Sequence, residues 1–140
     1  MSLAEVVLAI IIRSSLAFIE KLVSDFPKQI VGVKDSGGDM DYFRELVTLK
    51  ALRPDWTILV GPEHLLAETV QLGGDGGVNG GANVFPKLFT AMFKAAQAGD
   101  TDRIAILQKE VELDIYQASQ EVRNQPSKCS ARCVSLIFWQ

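Results

Sequence analysis

The sequence predicts an α/β fold in which parallel strands alternate with helices. Three observations carry that reading. Residues 30–33 (Ile30, Val31, Gly32, Val33) and 56–60 (Trp56, Thr57, Ile58, Leu59, Val60) are short, continuous apolar runs, the pattern of strands covered on both faces. Stretches with apolar residues at helical spacing lie before, between and after those runs. Each run ends in a turn rich in Gly, Asp or Pro.

Taken in order, residues 3–24 read as helical, with Leu16, Ile19, Leu22 and Val23 along one stripe. Arg13, Ser14 and Ser15 mark a break, and Ser15 is placed to cap a second helical segment. Ile10, Ile11 and Ile12 are β-branched and suit a short strand as well as a frayed helix. Pro27 ends the helix.

The strand at 30–33 runs into the polar turn Lys34, Asp35, Ser36, Gly37, Gly38, Asp39. Asp39 or Asp41 can cap the next helix, which reaches to about Ala51 with Phe43, Leu46, Val47 and Leu49 as its apolar face. After the strand at 56–60, Gly61 and Pro62 open a helix to Leu72. Gly73, Gly74 and Asp75 close it, with glycine available for a left-handed cap.

Residues 76–79 read as a third strand and 80–83 as a loop. A helix follows over 85–98, and a last long helix runs from Thr101 or Asp102 to about Val122, with Ile104, Leu107, Val111 and Ile115 at helical spacing. The predicted order is α-β-α-β-α-β-α-α, the alternation of parallel βαβ units. Residues 1–122 form one predicted domain. Residues 123–140 form an atypical tail with three basic residues and no acid.

Composition narrows the functional classes. Hydrophobic residues make up 48% of the 140 and charged residues 22%, the balance of a folded globular chain. The formal net charge of −3 gives no basic field for nucleic acid. Arg13 interrupts the N-terminal apolar run, so no membrane span is expected, and no basic segment precedes that run as a signal peptide needs. A cytoplasmic location is the expectation. Cys129 and Cys133 do not make a disulfide framework, and with His64 as the single histidine no metal site or other cofactor is expected.

Lys34 is the sharpest chemical feature. It ends an apolar strand, where a parallel α/β sheet opens its active face. Desolvation in a cleft disfavours the ammonium form and lowers a lysine's pKa. At the reference value of about 10.4 only about 0.04% is free amine at pH 7, and a shift to about 7–8 raises that to roughly 10–50%. Such an amine can form a Schiff base with a ketone, whose iminium draws electrons from the neighbouring carbon.

Six glycines fall within residues 73–81. Lacking Cβ atoms, they let backbone approach a ligand closely or simply make tight turns. They match neither GxGxxG nor a phosphate loop. Gly61 leaves room beside Lys34 or serves as a turn glycine, and Glu63 and His64 just beyond it suit a solvated helix start.

Together these strand ends resemble the dihydrodipicolinate synthase / N-acetylneuraminate lyase family, which are class I aldolases on a (β/α)8 TIM barrel. The segment 30–39 resembles the family's Schiff-base lysine strand. The Gly61 strand end and the run 72–83 (Leu72-Gly73-Gly74-Asp75-Gly76-Gly77-Val78-Asn79-Gly80-Gly81-Ala82-Asn83) resemble the next two strands in order and spacing. The resemblance covers about residues 15–122. It implies a partial barrel, its last three βα units with C-terminal helices, since a complete barrel needs at least about 200 residues.

By the same resemblance, Lys34 would form the Schiff base with pyruvate or a related 2-keto acid, with Gly61 and Val78 lining the pocket. Asn79 stands where the family has Ser or Thr. The family's Thr-Thr or Ser-Thr carboxylate turn and proton-relay Tyr are not found: Tyr42 and Tyr116 both fall on predicted helices. The segment before residue 15 departs from the family's fifth strand, and the tail after 122 departs as well. A chain matching in its middle reads as a truncated or rearranged piece of a longer enzyme, impaired alone. The alternative is a non-catalytic fragment that associates with itself or a partner chain, and a homo-oligomer is expected, since three strands of a barrel leave open edges. An anion-binding module built on residues 73–81 is the third reading.

Overall fold

The computed structural model describes residues 6–10 and 14–124, with side chains described over 14–113. The sheet has four parallel strands in the order β1-β2-β3-β4: β1 (Val6–Ile10), β2 (Ile30–Asp35), β3 (Thr57–Val60) and β4 (Gly76–Gly77). Five helices accompany it: α1 (Leu16–Asp25), α2 (Met40–Thr48), α3 (Leu66–Gln71), α4 (Pro86–Ala98) and α5 (Thr101–Asn124). Short 3-10 turns at Leu49–Ala51, Glu63–Leu65 and Gly80–Asn83 join them.

The N-terminal expectation is corrected here. Residues 6–10 are a strand paired with β2, and the order opens on β rather than α. A five-residue apolar run fits a buried strand as well as a helix turn, and pairing with β2 decides it. The helix proper begins at Leu16, and Ser15 caps it as predicted, with the Phe18 N–H donating to the Ser15 hydroxyl at 3.3 Å. Asp39 caps α2 by accepting from the Asp41 and Tyr42 N–H groups. The helix expected from Pro62 to Leu72 divides into a 3-10 turn and α3. The tail expected at 123–140 lies outside the described residues from 125 onward.

The core lies between the sheet and its helices. Val33 of β2 and Ile58 and Val60 of β3 pack with Ile19 of α1, Phe43 and Leu46 of α2, Leu66 of α3, Phe89 and Met92 of α4, and Leu107 and Val111 of α5. Alternation along a strand sends Gly32 and Lys34 to the opposite face. Gly32 is needed there: a Cβ would stand 2.9 Å from that of Thr57 on β3. Leu59, in register with Lys34, is only 3% exposed yet stands outside the helix-side core cluster. Gly99 ends α4 in the left-handed conformation at φ 67°, which favours glycine.

Candidate active site

Register brings the predicted site residues to one edge of the sheet. Lys34 lies in β2 beside Ala9 of β1 and Leu59 of β3, and Leu59 in turn faces Gly76 of β4. Gly61 follows β3 and Val78 follows β4, so all three expected residues sit at the C-terminal ends of adjacent parallel strands. Lys34 and Val78 are half-buried. The Val78 N–H donates to the Val60 carbonyl at 2.9 Å, which extends the pairing past the end of β4.

Hydrogen bonds lace these ends together. The Gly61 N–H donates to the Asp35 carbonyl at 2.7 Å, and the Asn79 side-chain amide donates to the Gly61 carbonyl at 2.8 Å. The Gly61 peptide is thereby held from β2 on one side and from β4 on the other. Asn79 is 2% exposed. Glu63 does not stand free as a solvated cap: its carboxylate accepts the Gly81 N–H at 3.0 Å and so ties the β3 and β4 loops together. Gln108 of α5 donates to the His64 carbonyl at 3.1 Å, leaving the exposed His64 ring outside this lacing.

Gly61 makes room, and the protein itself takes that room. A Cβ there would lie 2.7 Å from the Ser36 hydroxyl and 3.1 Å from its Cα. The glycine cluster behaves likewise. A Cβ would meet Phe43 at 2.9 Å from Gly74, Leu66 at 2.9 Å from Gly77, Phe89 at 3.0 Å from Gly81 and Glu63 at 3.2 Å from Gly80. The cluster therefore lets the β4 loops close against the chain's own side chains, and those contacts leave the anion-module reading without support.

Asp35, next to the lysine, is 1% exposed and accepts the Gly37 N–H at 2.9 Å. Burial pushes its carboxyl above the ordinary value of 3.8; the Gly37 hydrogen bond opposes this and the charge of Asp39 adds to it. Sequence reasoning missed Asn79 and Glu63 as braces, because their partners lie 18 residues away. Among the described residues no group of three His, Cys, Asp or Glu could hold a metal. Cys129 and Cys133 lie outside them. Nor is any helix among the described residues long and apolar enough to cross a membrane.

A parallel α/β sheet with a lysine in one strand and glycine-rich ends on the next two is the arrangement expected from the sequence resemblance. A sequence model of the dihydrodipicolinate synthetase family matches residues 13–137, and the chain belongs to that family. The match runs past the boundary expected at 122 and into the tail.

Relatives and solved structures agree. The chain is 32% identical over 111 residues to a probable 2-dehydro-3-deoxy-D-pentonate aldolase, YjhH, of Escherichia coli K12, covering 78% of this chain and 37% of that protein. Dihydrodipicolinate synthase from Bacteroides thetaiotaomicron superposes with a TM-score of 0.68 at 30% identity, over 92% of this chain and 47% of that one. YagE of Escherichia coli K12, solved in complex with pyruvate, gives a TM-score of 0.63 at 28% identity, over 85% of this chain and 42% of that one. The chain thus spans less than half the length of these proteins. The family is one of lyases.

Proposed function

We propose that this chain carries the Schiff-base portion of a class I aldolase or lyase acting on pyruvate or a related 2-keto acid. One observation carries the reading: Lys34 stands at the C-terminal edge of a parallel sheet, between β1 and β3, with Gly61 and Val78 on the following strand ends. The pyruvate bound to YagE supports the substrate class by family kinship.

The chemistry follows from the amine. Its lone pair adds to the C2 carbonyl, water leaves, and a C=N bond forms between Lys34 and the keto acid. The iminium stabilises negative charge developing at C3. Loss of a C3 proton to water gives an enamine, whose carbon attacks an aldehyde; the reverse sequence cleaves the same bond. Hydrolysis of the product iminium frees the lysine. The face bearing Lys34 and Leu59 would hold the keto acid, with Gly61 and Val78 against it. The four strands would correspond to the second half of an eight-stranded barrel, and among the residues whose side chains are described none is placed as a proton-relay tyrosine. Loss of such help lowers rate by about 10²–10⁴-fold.

Exchange of the pyruvate methyl protons in deuterated water tests the enamine without an aldehyde. Proton NMR should record exchange above background that Lys34→Ala abolishes. Exchange equal to background in the parent chain would count against the reading.

Four strands also support a second reading. Among the described residues β1 and β4 each pair with one neighbour, so closing a barrel needs strands from a longer chain or another copy. Association would then complete the site, and the cytoplasm is the proposed location. Sedimentation at micromolar concentration should reveal dimers or larger species, and a monomer with a cooperative melt would argue against it.

A further inference from the structure

The Gly61–Pro62 peptide lies between two donors on opposite faces of the sheet. Gly61 follows Leu59 by two residues and Ser36 follows Lys34 by two, so alternation places both on the Lys34 face. The packing agrees, since a Cβ on Gly61 would stand 2.7 Å from the Ser36 hydroxyl. Asn79 reaches the same peptide from the other face. A Cβ on Gly77 would run into the Asn79 amide and stand 2.9 Å from Leu66 Cδ1. Gly77 is in register with Val60, and both Val60 and Leu66 belong to the helix-side core.

The Gly61 carbonyl is held on the helix side, where it accepts from Asn79 Nδ2 at 2.8 Å. Asn79 is buried there. Because Pro62 has no N–H, that carbonyl is the only hydrogen-bonding group of the peptide. Its direction therefore depends on the donor it meets. A partly buried carbonyl that loses one donor turns toward another, since an unmade bond is costly. The Ser36 hydroxyl is the donor on the Lys34 face. Turned toward it, the oxygen would bring partial negative charge to the face where Gly61 borders the keto acid, which is itself an anion.

We propose that Asn79 is a positioning residue that sets the preference for an anionic ketone. It holds the Gly61 carbonyl away from the Lys34 face and so keeps that face open to a carboxylate. Asn79 acts through Gly61, not by touching the substrate. Gly77 has a role in the same device, because a residue without a Cβ leaves the Asn79 amide its place. The inference rests on the reading of Lys34 as the Schiff-base nucleophile.

The test compares two ketones, pyruvate and its uncharged methyl ester, trapped on the full chain with cyanoborohydride and read by intact mass. Both form the same cationic iminium, so the ratio of their half-saturating concentrations isolates the carboxylate. Asn79→Ala removes the donor, and Asn79→Leu removes it while nearly keeping the shape. In both variants the half-saturating concentration of pyruvate should rise about tenfold relative to that of methyl pyruvate. Partial unfolding lowers trapping of both ketones alike and leaves the ratio where it was, so a purely structural role for Asn79 does not imitate the result. A parent chain that traps both ketones, with a ratio unchanged in the variants, would overturn this proposal alone. A parent chain that traps neither would overturn the Schiff-base reading and this proposal with it.

Discussion

The side-chain amide of Asn79 donates to the carbonyl of Gly61 across 2.8 Å, joining the ends of two neighbouring strands. Both residues belong to the region that would face a keto acid; Asn79 is buried and Gly61 half-buried. Asn79→Ala leaves that carbonyl without its buried donor. A loss of about 1–3 kcal/mol in denaturant unfolding is expected. An unchanged midpoint would mean that the bond contributes nothing net.

Gly61 and Ser36 should behave as a coupled pair. Gly61→Ala places a methyl against the Ser36 hydroxyl, a clash of the kind that costs about 1–3 kcal/mol. Ser36→Gly in the same chain should recover part of that loss, read as an interaction energy in a double-mutant cycle. Additive effects would show that backbone contacts set the cost.

Asp35 gives the stability a definite pH sign. Its carboxyl is raised from 3.8 by burial, so the native state holds the proton more tightly than the unfolded chain. By linkage, its contribution falls as pH rises from about 4 through the raised value, and is constant above that. Asp35→Asn keeps an oxygen to accept the Gly37 N–H and removes the buried charge. Urea unfolding across that range should lose this downward component in the variant, and an identical profile would contradict it.

Asp75 separates an ion pair from a backbone clamp. Its carboxylate accepts the Ile58 N–H at 2.8 Å and pairs with Lys50 at 2.6 Å. Partly exposed pairs contribute about 0–1 kcal/mol, whereas an unsatisfied strand N–H costs about 1–3 kcal/mol. Asp75→Ala should therefore cost more than Lys50→Met in thermal or urea unfolding. Equal losses would assign the effect to the ion pair.

Much of the fold is legible in the sequence for identifiable reasons. Val33, Ile58 and Val60 sit in continuous apolar runs because helices cover them, and Ser15 and Asp39 cap the helices they precede. Strand β1 is not legible, since five apolar residues satisfy either period and only pairing with β2 decides. The position of Lys34 near a strand end is legible because the apolar run before it marks the strand. Asn79 and Glu63 act through partners brought near only by folding. The six clustered glycines attract a ligand-based reading, yet Phe43, Leu66 and Phe89 press on them.

The central claim is that Lys34 is the nucleophile, and reductive trapping tests it most directly. Incubation with pyruvate and borohydride converts the imine to a stable secondary amine. The account predicts one carboxyethyl adduct per chain by intact mass, mapped by peptide sequencing to Lys34 and absent from Lys34→Ala. No adduct in the parent chain, or an adduct that survives Lys34→Ala, would contradict it.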